Sequence, residues 1–176
     1  MSKSTLEDLK NRRSIRSFRP EQIKDEELNA ILDAGTWAPS GGGDQSAVIV
    51  AVQDKAIISR LEKLNAAVIG DMSETPFYGA PTVIAVLADK TVRPTYVEDG
   101  SLVLGNLQNA AYAVGVGSCW IHRAKEVFSS DEGKAFLKKW GLSENLVGVG
   151  FCVLGYAAGD IPAPKPRKAK YIIRVK

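Results

Sequence analysis

Residues 82–87, Thr-Val-Ile-Ala-Val-Leu, run without a charge or a break, and a run of that kind reads as a strand buried on both of its faces. A second stretch adds to the constraint. Over residues 99–117 the positions Leu102, Val103, Leu104, Leu107, Ala110, Ala111, Ala113 and Val114 leave few charges, so the segment reads as a helix that is apolar nearly all round. Such a helix has to be covered on every side, in the middle of the core or at a subunit interface. Its Gly and Ala content permits close helix approach and favours the interface.

The remaining pattern supplies elements to pack with these two. Residues 47–52 and 147–156 read as further strands and 118–121 as a short one. Helices are expected over 25–34, with Leu28, Ile31 and Leu32 on one face and Gly35 as the stop, and over the segment carrying Ile57, Ile58, Leu61 and Leu64, whose stripe ends at Asn65. Another is expected from a Ser130 cap, with Asp131 and Glu132 in its first turn and Lys138 and Lys139 in its last. Ser4-Thr5-Leu6-Glu7 has the form of a capping box that opens a first helix. Residues 71–78 read as a loop, and 160–170, rich in proline and basic residues, as an extended arm. Residues 171–175 alternate as one last strand, which after so long an arm can pair on a partner subunit.

At 176 residues the chain is expected to form one domain, 1–176, with a core large enough to need no disulfide or structural metal. Cys119 and Cys152 form no C-x-x-C pair and sit in apolar sequence, so reduced, buried thiols are expected. With His122 the only histidine, metal sites of the His-rich or Cys-His kind are nearly excluded. A net charge of +3 is too small for a nucleic-acid binder. The polar amino terminus lacks the apolar stretch of a signal peptide, and no apolar run reaches the ~18 residues of a membrane span. A cytoplasmic location without membrane contact is expected.

The chemistry points to a bound anion. Arg12-Arg13-Ser14-Ile15-Arg16-Ser17-Phe18 places three guanidiniums and two hydroxyls in seven residues, and guanidinium forks match phosphate oxygens. Arg12 and Arg16 would share a face if the preceding helix ran on. A solvated basic surface is the competing reading, and this stretch alone does not decide between them. Downstream, Pro39-Ser40-Gly41-Gly42-Gly43-Asp44-Gln45 is a loop with open backbone amides, suited to close approach of a ligand. It matches neither the P-loop nor the dinucleotide fingerprint. No nucleophile elbow is present, one histidine is a poor supply of bases, and Glu98-Asp99 reads better as a helix amino terminus than as a catalytic pair. Side chains this sparse in reactivity favour an enzyme whose chemistry is carried by a cofactor.

Taken in order, the arginine stretch, the Pro-Ser-Gly loop with Gln45, Phe77-Tyr78-Gly79-Ala80-Pro81, the apolar segment ending Gly115-Val116-Gly117-Ser118-Cys119-Trp120-Ile121, and Gly155-Tyr156 followed by Lys165-Pro166-Arg167 resemble the nitroreductase family, FMN-dependent NAD(P)H oxidoreductases, and its short members most of all. The resemblance implies an α+β, three-layer fold: a mixed central sheet flanked by helices, in a homodimer whose carboxy-terminal strand reaches the partner subunit. It implies FMN at the subunit interface, NAD(P)H as electron donor, and hydride transfer through flavin N5 to a small acceptor, nitroaromatic or quinone, in ping-pong order.

By the same resemblance, Arg12, Arg13, Ser14 and Arg16 hold the FMN phosphate and ribityl chain, with Arg16 approaching the pyrimidine edge. Lys165 and Arg167 close on the phosphate. Pro39, Ser40, Gly41 and Gln45 reach the flavin from the other subunit, Asn65 faces the pyrimidine ring, and Trp120, Ile121, His122 and Arg123 pass the N5 side through backbone groups. The chain departs from the family pattern at two places. Gly43 stands where Asn is common, with Ser46-Ala47 in place of Pro-Trp, and His122-Arg123 stand where some members carry an acid and a glycine. His122 reads equally as an imidazole capping a strand end. Two other classes remain open at this point: a non-catalytic flavin-binding protein on the same fold, and a basic module for RNA or other anionic ligands.

Overall fold

The structure is a computed structural model that describes residues 5–176; Ser4, and with it the proposed capping box, lies outside the described residues. In chain order it comprises α1 (Thr5–Asn11), α2 (Asp25–Thr36), a 3-10 turn (Gly41–Gly43), β1 (Ala47–Val52), α3 (Lys55–Ile69), β2 (Thr82–Asp89), α4 (Tyr96–Ala113), β3 (Gly117–Ile121), α5 (Ala124–Ser129), α6 (Asp131–Lys139) and β4 (Leu146–Gly155).

The four strands form one sheet in the order β1-β2-β4-β3. Every ladder in it is antiparallel, and parallel pairing is confined to an isolated bridge between Ser14 and Ser118 on the outer edge of β3. β2 is central and buried along almost its whole length, as its uninterrupted apolar sequence requires. Strand alternation sends Val83, Ala85 and Leu87 into one core, with Leu61, Phe77, Phe128, Leu137 and Phe151, and Ile84, Val86 and Ala88 into a second, with Ile31, Val103, Leu104 and Leu107. Helices α3, α5 and α6 therefore cover one face, and α2 and α4 the other. These are the three layers. At about 1.5–3 kcal/mol for each large aliphatic side chain buried, the two faces of β2 alone make a major contribution to folding.

Several expectations need correction. Gly35 does not stop α2; it is buried inside the helix, where a Cβ would lie 2.8 Å from Leu107 Cδ2, so its lack of a side chain serves close packing with α4. Asn65, where the apolar stripe ends, is fully buried within α3, which runs on to a left-handed Gly70 cap. The short helix α5 was not expected; it has Ala124, Val127 and Phe128 on its buried face, a signal compressed into six residues just before the Ser130 cap. That cap is present, with the Ser130 hydroxyl accepting from Gly133 N–H. α4 buries Val103, Leu104, Leu107 and Ala111 but leaves Val97 and Leu102 exposed. Residues 171–175 form no strand within the chain; Tyr171, Ile172, Ile173 and Val175 are all exposed.

Candidate functional site

The arginine stretch begins where α1 ends. Arg12 N–H makes the last helical bond, to Asp8 C=O at 2.9 Å, after which the chain extends along the edge of the sheet. Ile15 N–H donates to Ser118 C=O at 2.9 Å, Arg19 N–H to Tyr156 C=O at 2.9 Å and Ala158 N–H to Ser17 C=O at 3.0 Å. Ile15 is buried and Arg16, its neighbour, points outward, as alternation on an extended backbone dictates. The helix therefore does not run on, and Arg12 and Arg16 do not share a helical face. Arg16 opens onto a cleft beside Ala157, Asp160 and Pro162.

Arg12 and Arg13 line a cavity of about 630 Å³ whose opposite wall is Pro164, Lys165, Pro166 and Arg167. The two walls stand near opposite ends of the sequence, at residues 12–13 and 164–167, yet they face one space. No carboxylate lines that cavity among the described residues. Arg13 Nη1 is occupied by Lys10 C=O and Arg12 C=O, and Arg167 donates from Nε and Nη2 to Lys165 C=O. Arg12 Nη1 and Arg13 Nε, by contrast, are buried with no hydrogen-bond partner. A buried donor without an acceptor costs on the order of 1–3 kcal/mol, and an anion in the cavity would lie against the same two arginines. A phosphate group fits this donor set.

The end of β3 is fixed from beneath. Asn65 Nδ2 donates to His122 C=O at 2.8 Å, while its Oδ1 is buried without a partner. Its amide is thus turned into the protein and holds the strand end from within. Trp120 is half-buried, Ile121 buried and His122 exposed. Arg123 has φ 75°, a left-handed backbone that is uncommon for a residue with a side chain and tends to persist where a site requires it. Its C=O accepts from Val127 N–H.

The glycine loop is elsewhere in the chain. Pro39, Ser40 and Gln45 line a separate cavity of about 280 Å³ with Asp99 and Val103, and within one chain they do not meet the arginine walls. Gly41 N–H is taken by Asp99 Oδ1 at 2.9 Å, so this amide is not open to a ligand. Asp99 was legible as a helix amino-terminal acid, which it is; its bond to a loop 58 residues away has no sequence signature. The Ser46 hydroxyl, and then the Gly41 amide, hold the Asp99 carboxyl below the usual carboxylate range against the opposing effect of burial.

Cys119 and Cys152 are free and buried. Burial pushes both thiols up, with nearby Arg16 opposing it at Cys119, so neither is set up as a thiolate nucleophile. Among the described residues no cluster of three or more His, Cys, Asp or Glu is placed to hold a metal, and no helix is long and apolar enough to cross a membrane.

Comparison with known proteins bears on the family and the fold. Residues 9–156 match the model of the Nitroreductase family. A protein of Archaeoglobus fulgidus, provisionally named an NADH dehydrogenase/NAD(P)H nitroreductase, is 32% identical over 156 residues, which is 86% of this chain and 84% of that protein. Among solved structures, a nitroreductase with bound FMN from Bacteroides fragilis superposes with a TM-score of 0.90 at 29% identity, covering 99% of this chain and 100% of that one. Another with bound FMN, from Desulfitobacterium hafniense, gives 0.88 at 28% identity with 100% of both chains covered.

Proposed function

The chain belongs to the nitroreductase family, and from that premise we propose how this FMN-dependent NAD(P)H oxidoreductase uses its residues. When bound, FMN supplies the redox chemistry: hydride acceptance at N5 from NAD(P)H and hydride delivery to a small acceptor such as a nitroaromatic or quinone, in ping-pong order. The protein supplies the anchoring and the electrostatics.

Arg12 and Arg13 from the end of α1, with Lys165 and Arg167 from the arm, bind the phosphate. The observation that carries this is the cavity these four residues share, with two buried guanidinium nitrogens beside it lacking acceptors. Ser14 holds the ribityl chain, and Arg16 places positive charge at the pyrimidine edge, where it stabilises the negative charge that accompanies reduction. The backbone of Trp120, Ile121, His122 and Arg123 runs along the N5 side, held in place by Asn65. No side chain is assigned a proton-transfer step.

Pro39, Ser40, Gly41 and Gln45 complete the site of a partner subunit. Two observations support a homodimer. The loop lies apart from its own chain's arginine walls, and the apolar residues Ile172, Ile173 and Val175 are exposed on an arm with no strand partner in its own chain. The carboxy-terminal segment pairs across that interface. The protein functions as one FMN-binding domain in the cytoplasm, where Cys119 and Cys152 stay reduced.

A visible absorption spectrum of the purified protein, followed by anaerobic titration with NADH and with NADPH, tests the proposal. A flavin spectrum that bleaches with one or both donors and recovers on addition of a quinone is the expected result. Protein that is colourless and remains so after FMN is added would sink it, and a yellow protein that no nicotinamide bleaches would mark a flavin-binding protein without turnover.

A further inference from the structure

We propose that Asp99 is a positioning residue for the acceptor: by clasping both ends of the 40–46 loop it sets the wall that Pro39, Ser40 and Gln45 present to whatever is reduced. The inference rests on the reading above, in which that loop faces the flavin of the partner subunit.

The loop contains three consecutive glycines, and glycine gives up the most backbone freedom on being ordered. Three hydrogen bonds within the loop offset part of this. Gly43 N–H donates to Ser40 C=O at 3.0 Å, Asp44 N–H to Gly41 C=O at 3.2 Å, and Gln45 N–H to the Ser40 hydroxyl at 3.0 Å. The fixed points come from the start of α4. Asp99, 3% exposed, accepts from Gly41 N–H at the beginning of the loop, 2.9 Å, and from the Ser46 hydroxyl at its end, 2.6 Å. One carboxylate therefore joins the two ends of the loop, Gly41 and Ser46. Its own charge is balanced by these donors, by Thr95 and by Arg93 nearby, and by the amino-terminal end of α4.

An outer contact doubles the clasp. Arg93 Nε donates to Asp44 Oδ2, and its guanidinium lies over Gly42, whose φ is 64°. Any Cβ at Gly42 would collide with that guanidinium. The outer pair is exposed and screened by solvent, whereas the Asp99 contacts are not. Asp99 is thus the dominant anchor, and it also lines the cavity that the loop encloses. Its two contacts differ in kind: Gly41 N–H reports on the backbone, Ser46 Oγ–H on a side chain that substitution can remove alone.

The test uses the holoenzyme of the Asp99→Ala, Asp99→Asn and Ser46→Ala variants. Hydrogen exchange at residues 41–46 and steady-state kinetics with a series of quinones of increasing size are measured on each. In Asp99→Ala, exchange of the Gly41 amide should rise by about tenfold or more, as expected when a charge-assisted bond is lost, with the β2 amides unchanged. KM for the acceptors should rise, and the ranking by size should flatten, while kcat for the smallest quinone changes least. Asp99→Asn, which keeps the shape and one acceptor, should recover part of both effects. Should Asp99→Ala fail to fold, Ser46→Ala keeps the charge and removes one bond, and the same changes are expected at smaller size.

Faster loop exchange with the acceptor KM values and their ranking unmoved would reduce Asp99 to a structural anchor and overturn the proposal. So would unchanged exchange. Failure of the wild-type protein to retain FMN is a different outcome, and it would remove the functional reading itself.

Discussion

The Tyr156 hydroxyl donates to Glu27 Oε2 at 2.6 Å, joining the end of the central sheet to α2, and the bond moves both titrations outward. Tyr156 holds the Glu27 carboxyl below the usual carboxylate range, and Glu27 in turn raises the Tyr156 phenol. The signs follow from linkage. A depressed carboxyl contributes stability above its unfolded pKa and loses it as pH falls through the folded value; a raised phenol contributes below its unfolded pKa and loses it as pH rises through the folded value. The pair therefore supports the fold between the ordinary carboxylate and phenol ranges. Tyr156→Phe should lower stability near neutrality and flatten both limbs of a stability profile measured by urea unfolding at stepped pH; a profile parallel to wild type would contradict this. At this scale the sequence was most informative where residue type alone carries the chemistry. Arg12 and Arg13 raised an anion site as one of two readings because guanidiniums at such density suit phosphate, while Lys165 and Arg167 entered only through the family resemblance. The partners of Asp99 and Asn65 were not legible, because a buried carboxylate or amide is defined by the group it finds, and the Gly41 amide and the His122 carbonyl are distant in sequence.

Glycines in β4 show how elements constrain one another. A Cβ at Gly148 would overlap the Ala124 carbonyl oxygen and crowd the Lys125 nitrogen, so β4 can pass the start of α5 only without a side chain there. Gly148→Ala should destabilise by about 1–3 kcal/mol, the usual cost of overpacking against backbone, and lower Tm by several degrees. The bidentate pair from Arg60 to Glu132, which joins α3 to α6, makes a useful contrast. It is largely exposed, and Arg60→Ala should cost less than about 1 kcal/mol. Thermal unfolding of both variants checks the ordering; an Arg60 effect as large as that of Gly148 would contradict it. β2 was legible because burial on both faces leaves an uninterrupted apolar run, and α4 because eighteen residues carry several turns of helical signal. The six residues of α5 were not, since so short a segment carries little more than one helical turn of signal.

Across the whole molecule, what the single chain leaves uncovered is as informative as what it buries. Residues 171–175 alternate like a strand in sequence but have no ladder among the described residues, and in the proposed homodimer the partner subunit supplies one. The sequence thus carried the potential to pair but not the partner. Deletion of residues 161–176 should convert a dimer into monomer, or weaken it to micromolar association, and strip FMN at the same time; analytical ultracentrifugation with an absorbance count of bound flavin checks both. The double variant Lys165→Ala/Arg167→Ala should separate the two effects by lowering FMN retention while leaving the dimer. A truncated chain that stays dimeric and yellow would contradict both assignments.

The central claim is that two ends of the chain close on one phosphate. Comparing apoprotein affinity for FMN with that for riboflavin, by flavin fluorescence, isolates the phosphate from every other contact. The wild-type protein should prefer FMN by at least about a hundredfold, the range expected for two or more charge-assisted contacts, and Arg12→Ala/Arg167→Ala should reduce that preference to about tenfold or less with riboflavin affinity nearly unchanged. A preference for FMN that survives the double substitution intact would contradict the claim.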